Sequence, residues 1–194
     1  MTQAKLRFQS FEDYLAYDDD SDALYELFNG ELIAVPPESG KNVQIANRLF
    51  LAFTLSVGID CVRGNGLELE VRGEPKNRYP DLTILQAEHI DLLAERNTIR
   101  LFMPPPMLVV EVVRPGSLQR DRDYIAKRRQ YEDLGIPEYG IVDPQEQAVL
   151  VLALDHGAYD ESETFVGEDG VRSRQLPTLS LKVADIFALA QPDT

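Results

Sequence analysis

The sequence has a single cysteine, Cys61, and no tryptophan among its 194 residues. One cysteine excludes an internal disulfide and a zinc site made of several thiolates. Cys61 lies in the apolar, strand-like stretch 59–62, which predicts a small buried side chain without special reactivity. The chain also lacks an apolar run long enough to span a bilayer, and residues 1–11 lack the hydrophobic segment of a signal peptide. We therefore expect a cytoplasmic protein that makes no contact with membranes.

Basic residues are scarce, because 19 lysines and arginines stand against 33 aspartates and glutamates and give a formal charge of −14. Such a balance argues against non-specific binding to nucleic acids, which depends on Lys and Arg neutralising phosphates. Two segments, 63–78 and 114–129, are locally basic, whereas the acidic residues concentrate at 18–22 and 155–169. Any contact with a nucleic acid is therefore expected near the two basic segments.

Histidine and the common catalytic motifs are almost absent. His89 lies in a polar segment and His156 in an acidic turn, so we expect both side chains at the surface. The sequence contains no GxSxG motif and no glycine-rich phosphate loop, because the glycines of 64–66 belong to a predicted hairpin turn. These absences leave a serine hydrolase or a P-loop protein without support.

Hydrophobic residues make up 44% of the chain, which is enough for an ordinary core and favours a single domain over 1–194. Apolar residues at helical spacing or in short runs bounded by Gly, Pro and Asn predict a mixture of helices and strands. The predicted helices cover 11–17, 42–57, 88–96, 120–134 and 183–190. The predicted strands cover 24–28, 31–35, 59–63, 67–71, 81–85, 107–113, 138–142 and 148–154.

Turn residues predict how several of these strands connect. Asn29-Gly30 predicts an N-terminal hairpin, because both turn positions need positive φ. The turn at 64–66 predicts a second hairpin between the strands on either side of it, and 155–170 is expected to form an exposed hairpin arm. The strand–helix–strand unit at 108–142 predicts a parallel crossover.

Glu111 is the one charged residue in a run of branched aliphatic side chains over 108–113. Such a run is typical of a central strand that is buried on both faces. Burying an unpaired carboxylate there costs on the order of several kcal/mol, so the fold must offer a cation or a hydrogen-bond partner. Glu111 is therefore either a functional carboxylate or half of a structural ion pair.

Asp81 and Lys127 carry weaker signals when each is taken alone. Asp81 follows Pro80 at the start of an apolar strand, where an aspartate is common. Lys127 shares a helical face with Asp123 and Tyr131, because the three residues are spaced by four. By itself that face is best interpreted as an exposed, salt-bridged stripe.

Together, Asp81, Glu111 and Lys127 indicate a metal-dependent site. Two carboxylates come from neighbouring strands and an amine from the adjoining helix, and such hard oxygen ligands suit Mg²⁺ or Mn²⁺. The ion would polarise a phosphodiester and lower the pKa of a bound water, while Lys127 would orient that water or stabilise negative charge on the phosphate. Nearby basic residues are expected to contact the DNA backbone: Arg78, Arg114, Arg120 and Arg122.

Six segments carry a resemblance to a known family. They are 25–32 (YELFNGEL), 78–81 (RYPD), 108–112 (LVVEV), 121–123 (DRD), 127–131 (KRRQY) and 135–144 (GIPEYGIVDP). With these motifs the chain resembles, over about 11–190, the bacterial restriction-endonuclease-like family within the PD-(D/E)XK nuclease superfamily. The resemblance implies an α/β (α+β) fold with a restriction-endonuclease-like core, a mixed central sheet flanked by helices, an N-terminal hairpin and a C-terminal β-arm.

The resemblance also implies roles for particular residues. Asp81 and Glu111 would bind the metal, together with the backbone carbonyl of Val112. Many superfamily members carry a lysine two residues after the second carboxylate, where this chain has Val113, so Lys127 is expected to supply the amine from the next helix. Glu26 matches an acidic position in the N-terminal hairpin and would assist the metal or the attacking water.

The chain departs from the family at Asn29, Asn42 and Gly140, where the family often has Asp, His and Trp. Asn42 bears most on the chemistry, because it stands at the start of the long helix. The first hypothesis is a Mg²⁺-dependent endonuclease that hydrolyses DNA as a homodimer. The alternative is a nuclease fold kept as a binding or regulatory module with little or no catalysis, which Asn42 and the charge of −14 favour.

Overall fold

The structure is a computed structural model that describes residues 7–17, 23–116 and 121–188, in which runs of strands are separated by helices. The helices are α1 (Phe11–Leu15), α2 (Gly40–Val57), α3 (Glu88–Leu92), α4 (a π-helical turn, Arg122–Lys127, continued by Arg128–Asp133) and α5 (Val183–Phe187). The strands are β1 (Tyr25–Phe28), β2 (Glu31–Ala34), β3 (Val62–Gly64), β4 (Glu68–Glu70), β5 (Asn77–Arg78), β6 (Leu82–Ile84), β7 (Thr98–Ile99), β8 (Leu108–Val112), β9 (Glu138–Asp143), β10 (Ala148–Asp155) and β11 (Ala158–Val166). None of the helices described has both the length and the apolar character of a membrane span.

A six-stranded mixed sheet with the order β11-β10-β9-β8-β6-β3 forms the centre of the fold. Strands β8 and β9 pair in parallel, as the crossover prediction requires, and the other neighbours in this sheet are antiparallel. Two smaller sheets accompany it, the β1-β2 hairpin and a three-stranded sheet with the order β5-β4-β7. The predicted fold class, a mixed central sheet flanked by helices, is confirmed.

The alternation of side chains along β8 separates two hydrophobic cores. Val110 packs with α2 and α5 on one face of the sheet, whereas Val109 packs with Tyr131 of α4 on the other face. Successive residues of a strand point to opposite faces, so Glu111 shares the face of Val109. The strand therefore directs the carboxylate of Glu111 toward α4.

The N-terminal hairpin follows its prediction. Asn29 and Gly30 both have positive φ, 49° and 78°, and join β1 to β2. Asn77 in β5 fastens this hairpin to the rest of the fold: its Oδ1 accepts a hydrogen bond from the backbone N of Leu27 at 2.7 Å, and its Nδ2 donates to the Tyr25 carbonyl at 2.8 Å. The same Nδ2 donates to Glu68 at 2.6 Å, so one buried amide orients the hairpin.

The predicted second hairpin around 64–66 is wrong. Strand β3 pairs with β6 in the central sheet, whereas β4 belongs to the three-stranded sheet. Val62 packs in the α2 core and Leu67 in the α4 core, so the turn carries the chain from one core to the other. Gly66, with a φ of 116°, permits this change of direction. Two apolar runs around a glycine-rich turn do not distinguish pairing with each other from pairing elsewhere.

Two single-residue predictions are also wrong. His89 is completely buried instead of exposed. The backbone N of Gln86 donates to its Nδ1 at 3.1 Å, and its Nε2 lies 2.9 Å from the Pro104 carbonyl. Both ring nitrogens therefore have hydrogen-bond partners, which makes the burial possible. Cys61 ends a short 3₁₀ turn, Ile59–Cys61, and is partly exposed instead of buried in a strand. His156 is exposed as predicted.

The segment 155–170, predicted to form an exposed hairpin arm, supplies only one strand of a hairpin and extends the central sheet. Strand β10 runs to Asp155, and β11 pairs with it from Ala158 to Val166 as the edge strand. The predicted helix over 183–190 is observed as α5, while 189–190 lie outside the described residues, as do the acidic run 18–22 and Arg120.

Replacing Asn77 by alanine should loosen the N-terminal hairpin. Asn77→Ala leaves the buried Leu27 N–H without its acceptor and removes one of several donors to the buried Glu68 carboxylate, so we expect the free energy of unfolding to fall by about 2–4 kcal/mol. Urea denaturation measures this loss. Asn97→Ala, an exposed amide, is the control and should change stability by less than about 0.5 kcal/mol. Equal effects of the two substitutions would contradict the fastening role.

Candidate active site

Four residues singled out in the sequence line one narrow cleft. Asp81 precedes β6, Glu111 lies in β8, Lys127 ends the π-helical turn of α4, and Glu26 comes from β1. Other side chains in the same cleft are Val35, Glu38, Tyr79, Val112, Arg114, Arg122 and Asp123. The space between them is about 30 Å³, which is enough for one or two water molecules or an ion.

The carboxylate of Glu111 is only 2% exposed and has strong partners on both oxygens. The Tyr131 hydroxyl donates to Oε1 at 2.6 Å, and the Lys127 ammonium lies 2.7 Å from Oε2. The expectation that the fold offers this carboxylate a cation or a hydrogen-bond partner is therefore confirmed, and both are present. Burial and the charge of Glu111 raise the pKa of Tyr131 well above its ordinary value, so its phenol stays protonated and donates.

The face of α4 that carries Asp123, Lys127 and Tyr131 is buried, so its interpretation as an exposed stripe is wrong. Lys127 lies between two carboxylates, 2.9 Å from Asp123 Oδ1 as well as 2.7 Å from Glu111. The turn Arg122–Lys127 that presents these residues is π-helical, a conformation that is often found at functional sites.

Lys127 is a cation in this environment. Its burial opposes the charged form, but Glu111 and Asp123 outweigh that effect and raise the pKa of the ammonium. A protonated lysine donates hydrogen bonds and cannot accept a proton. Lys127 can therefore orient a water or stabilise an anion, and it cannot act as a general base.

Asp81 lies at the same site, but its negative charge has fewer partners than that of Glu111. Its Oδ2 accepts a hydrogen bond from the backbone N of Val112 at 2.7 Å. Burial and the nearby Glu111 carboxylate raise the pKa of Asp81 to about 7, although Lys127 acts in the opposite direction. Lys127 contacts Glu111 and Asp123 but not Asp81, so the three buried carboxylates outnumber the one ammonium group that lies among them.

Three of the four predicted DNA-contacting arginines are described, and each is paired with a carboxylate. Arg78 is buried, and its Nη1 lies 3.1 Å from Glu26 while its Nε donates to Gln130 at 2.8 Å. Arg122 also pairs with Glu26, and Arg114 pairs with Glu38. The buried Nε of Arg122 has no hydrogen-bond partner among the described residues.

The backbone carbonyl of Val112, the third predicted metal ligand, already accepts a hydrogen bond. Asn42 Nδ2 lies 3.3 Å from this oxygen and 3.2 Å from Glu38 Oε2, so Asn42 connects the cleft to α2. A carbonyl oxygen carries two lone pairs, and one of them remains for a metal ion.

The donor chemistry of the cleft fits a hard divalent cation. Asp81 and Glu111 offer carboxylate oxygens and Val112 a carbonyl oxygen, and the excess of buried negative charge favours a cation. Among the described residues, no three His, Cys, Asp or Glu side chains form a ready-made metal cage. That result is compatible with Mg²⁺, which is usually held by one or two carboxylates, keeps several waters and also contacts substrate phosphates.

The sequence did not identify every residue of the cleft. Asp123 and Tyr131 could be identified from the sequence, because their spacing by four placed them on the same helical face as Lys127. Glu38 had none: it precedes α2 in a segment without periodicity, yet it pairs with Arg114 and contacts Asn42. Tyr79 also lines the cleft, and only its position two residues before Asp81 could have indicated it.

Comparisons with known proteins agree with this architecture. Residues 11–184 match the model of the Uma2 family, which is described as "Putative restriction endonuclease". The fold is similar to the crystal structure of a "putative nuclease belonging to DUF820" from Anabaena variabilis ATCC 29413, with a TM-score of 0.68 and 19% identity. The match covers 92% of this chain and 97% of the Anabaena chain, and at this identity it shows the fold alone. No curated protein sequence matches the chain.

The excess negative charge predicts an unusual pH dependence of stability in metal-free buffer. The pKa of Asp81 is about 7 in the folded protein, against a usual value of 3.8, so the native state keeps a proton that the unfolded chain has released. The contribution of Asp81 to stability should therefore fall as the pH rises from about 4 to 7 and level off above that range. Asp81→Asn removes this contribution, because a carboxamide oxygen can still accept from Val112.

Urea denaturation in EDTA across this pH range measures the effect. Relative to the wild type, Asp81→Asn should gain on the order of 1–3 kcal/mol between about pH 4 and pH 8. Asp91→Asn, at an exposed position, should show no such gain. A stability difference between Asp81→Asn and the wild type that stays constant with pH would show that Asp81 does not hold the extra proton.

Proposed function

The chain belongs to the Uma2 family of putative restriction endonucleases, and from this membership we propose that it is a metal-dependent nuclease that hydrolyses phosphodiester bonds of DNA. The observation that carries the proposal is the pairing of two buried carboxylates, Asp81 and Glu111, with the protonated Lys127 in one cleft. A structural ion pair needs only one carboxylate for each lysine. The additional negative charge suits a site that binds a divalent cation.

Asp81, Glu111 and the carbonyl of Val112 would hold Mg²⁺ or Mn²⁺. When bound, the ion would polarise the phosphodiester and lower the pKa of a coordinated water. Val112 would contribute twice, because its N–H donates to the Asp81 carboxylate at 2.7 Å and its carbonyl oxygen would be the third oxygen ligand.

Lys127 positions the nucleophile and stabilises the charge that develops on the phosphate. Its ammonium has three N–H donors, and Glu111 and Asp123 account for two of them. The third is available to a water or to a phosphate oxygen. Glu26 would assist the metal or the attacking water, because its carboxylate lies in the same cleft and only accepts hydrogen bonds.

Arg122 and Arg114 are the residues that we propose for contacts to the phosphates of DNA. Both line the cleft and both are partly exposed, whereas Arg78 is buried and held by Glu26 and Gln130. Arg120, which was also predicted, lies outside the described residues. The homodimer stays a prediction.

A binding module without catalysis is the second candidate. The observation in its favour is that the cations of the cleft are already engaged: Lys127 with Glu111 and Asp123, and the arginines with Glu26 and Glu38. Metal binding is compatible with either function, so it does not separate them. Turnover separates them, because only the nuclease breaks a covalent bond.

Nicking of supercoiled plasmid tests the proposal, with EDTA, Mg²⁺ and Mn²⁺ compared at equal ionic strength. We expect nicking by the wild type with either metal and none in EDTA. Glu111→Gln should lower the rate by at least about 100-fold, because it removes a metal-binding charge and keeps the acceptor for Tyr131.

Glu95→Gln is the matched control, since it makes the same change at an exposed position and should nick like the wild type. Thermal denaturation of each variant shows whether it is folded. A folded wild type that nicks with neither metal would favour the binding module, and nicking that survives in Glu111→Gln would remove this cleft as the active site.

A further inference from the structure

A groove leads from the candidate active site along helix α2. It shares Glu38 and Asp81 with the catalytic cleft and contains about 90 Å³, three times the 30 Å³ between the carboxylates. Its other walls are one face of α2 and the turn that follows β3. The residues that form them include Val43, Ala46, Asn47, Phe50, Gly64 and Asn65. The groove therefore accepts a larger group than the water or ion that fits the cleft itself.

The walls of this groove suit a flat, uncharged group with hydrogen-bonding edges. Val43, Ala46 and Phe50 are spaced by three and four, so they share a face of α2 and give the groove an apolar wall with one aromatic ring. A Cβ added at Gly64 would lie 3.9 Å from Cδ2 of Phe50, in van der Waals contact, so the glycine leaves this edge of the ring uncovered. The carboxamides of Asn47 and Asn65 are exposed beside it.

These features match the chemistry of a nucleobase. Aromatic side chains stack on bases, and asparagine carries both a donor and an acceptor for a base edge. No lysine or arginine lines the groove among the described residues, so a phosphate is a poorer match there than a base. The carboxylates lie at one end only, at Glu38 and Asp81.

The charge of the protein also favours a contribution from base contacts. The arginines beside the cleft are paired with Glu26 and Glu38, and the chain carries a formal charge of −14. Beyond the contacts proposed for Arg114 and Arg122, attraction to the phosphate backbone is therefore weak, whereas proteins that bind single strands gain affinity by stacking bases on aromatic rings.

We propose that this groove binds the base of an unpaired nucleotide next to the scissile phosphate, so that the substrate is single-stranded or locally unpaired DNA. The proposal rests on the proposed function, which places that phosphate at Asp81 and Glu111. A base within an intact duplex is stacked and paired, and it must leave the helix to enter a groove so close to the catalytic carboxylates.

Binding of a labelled oligonucleotide tests the groove, with the same sequence presented in Ca²⁺ as a single strand and as a duplex. The wild type should bind the single strand at least about 10-fold more tightly than the duplex. Phe50→Leu and Asn47→Ala should each weaken binding of the single strand by about 10-fold. Gln44→Ala removes an exposed amide of α2 outside the groove and should leave binding unchanged.

Three results would overturn the proposal: equal affinity for the two forms, no binding of either, or groove variants that bind like Gln44→Ala. If Phe50→Leu does not fold, the binding measured for Asn47→Ala tests the groove, because this exposed substitution should leave the fold intact. A cleavage assay on the single strand and the duplex in Mn²⁺ distinguishes failure of this proposal from failure of the proposed nuclease function. If binding depends on the groove but neither form is cleaved, the base site stands and the nuclease proposal fails. If duplex and single strand are cleaved equally, and the groove variants cleave like the wild type, the nuclease proposal stands and the base site fails.

Discussion

The buried charge of Glu111 is the constraint on which the rest of the site depends. The residue lies in a strand whose five residues are all buried, so its carboxylate must find its partners on the next layer of the fold. Helix α4 supplies them through Lys127 and Tyr131, at 2.7 Å and 2.6 Å. The packing of this helix on the sheet, with its π-helical turn at Arg122–Lys127, is thus tied to the neutralisation of one carboxylate.

That neutralisation is incomplete, and the remaining charge points to function. Asp81 and Asp123 lie near the same lysine, and the pKa of Asp81 rises to about 7 because burial and Glu111 both oppose its ionisation. A protein without use for a cation gains nothing from this arrangement, since replacing a buried ionic cluster by apolar side chains is often neutral or stabilising. The carboxylates of the cleft are therefore compatible with the proposed metal-dependent nuclease.

Much of the fold and of the cleft could be predicted from the sequence, because strands and helices leave periodic signals. The aliphatic run of β8 marked Glu111 as a buried charge, and spacing by four placed Lys127 with its neighbours. The remainder depended on tertiary contacts that leave no local pattern. Glu38 reaches the cleft from an irregular segment, and His89 is buried because Pro104, fifteen residues away, satisfies its ring. The turn at 64–66 joins two sheets, which local turn chemistry does not reveal.

Binding of Mn²⁺ tests the central claim most directly, because it asks whether Asp81 and Glu111 form one cation site without requiring catalysis. Titration calorimetry on the wild type should show one strong site per chain, with affinity at least about 10-fold lower in Asp81→Asn and in Glu111→Gln. Glu95→Gln should bind like the wild type. Saturable binding that is unchanged in both cleft variants, or its absence from the folded wild type, would contradict the account.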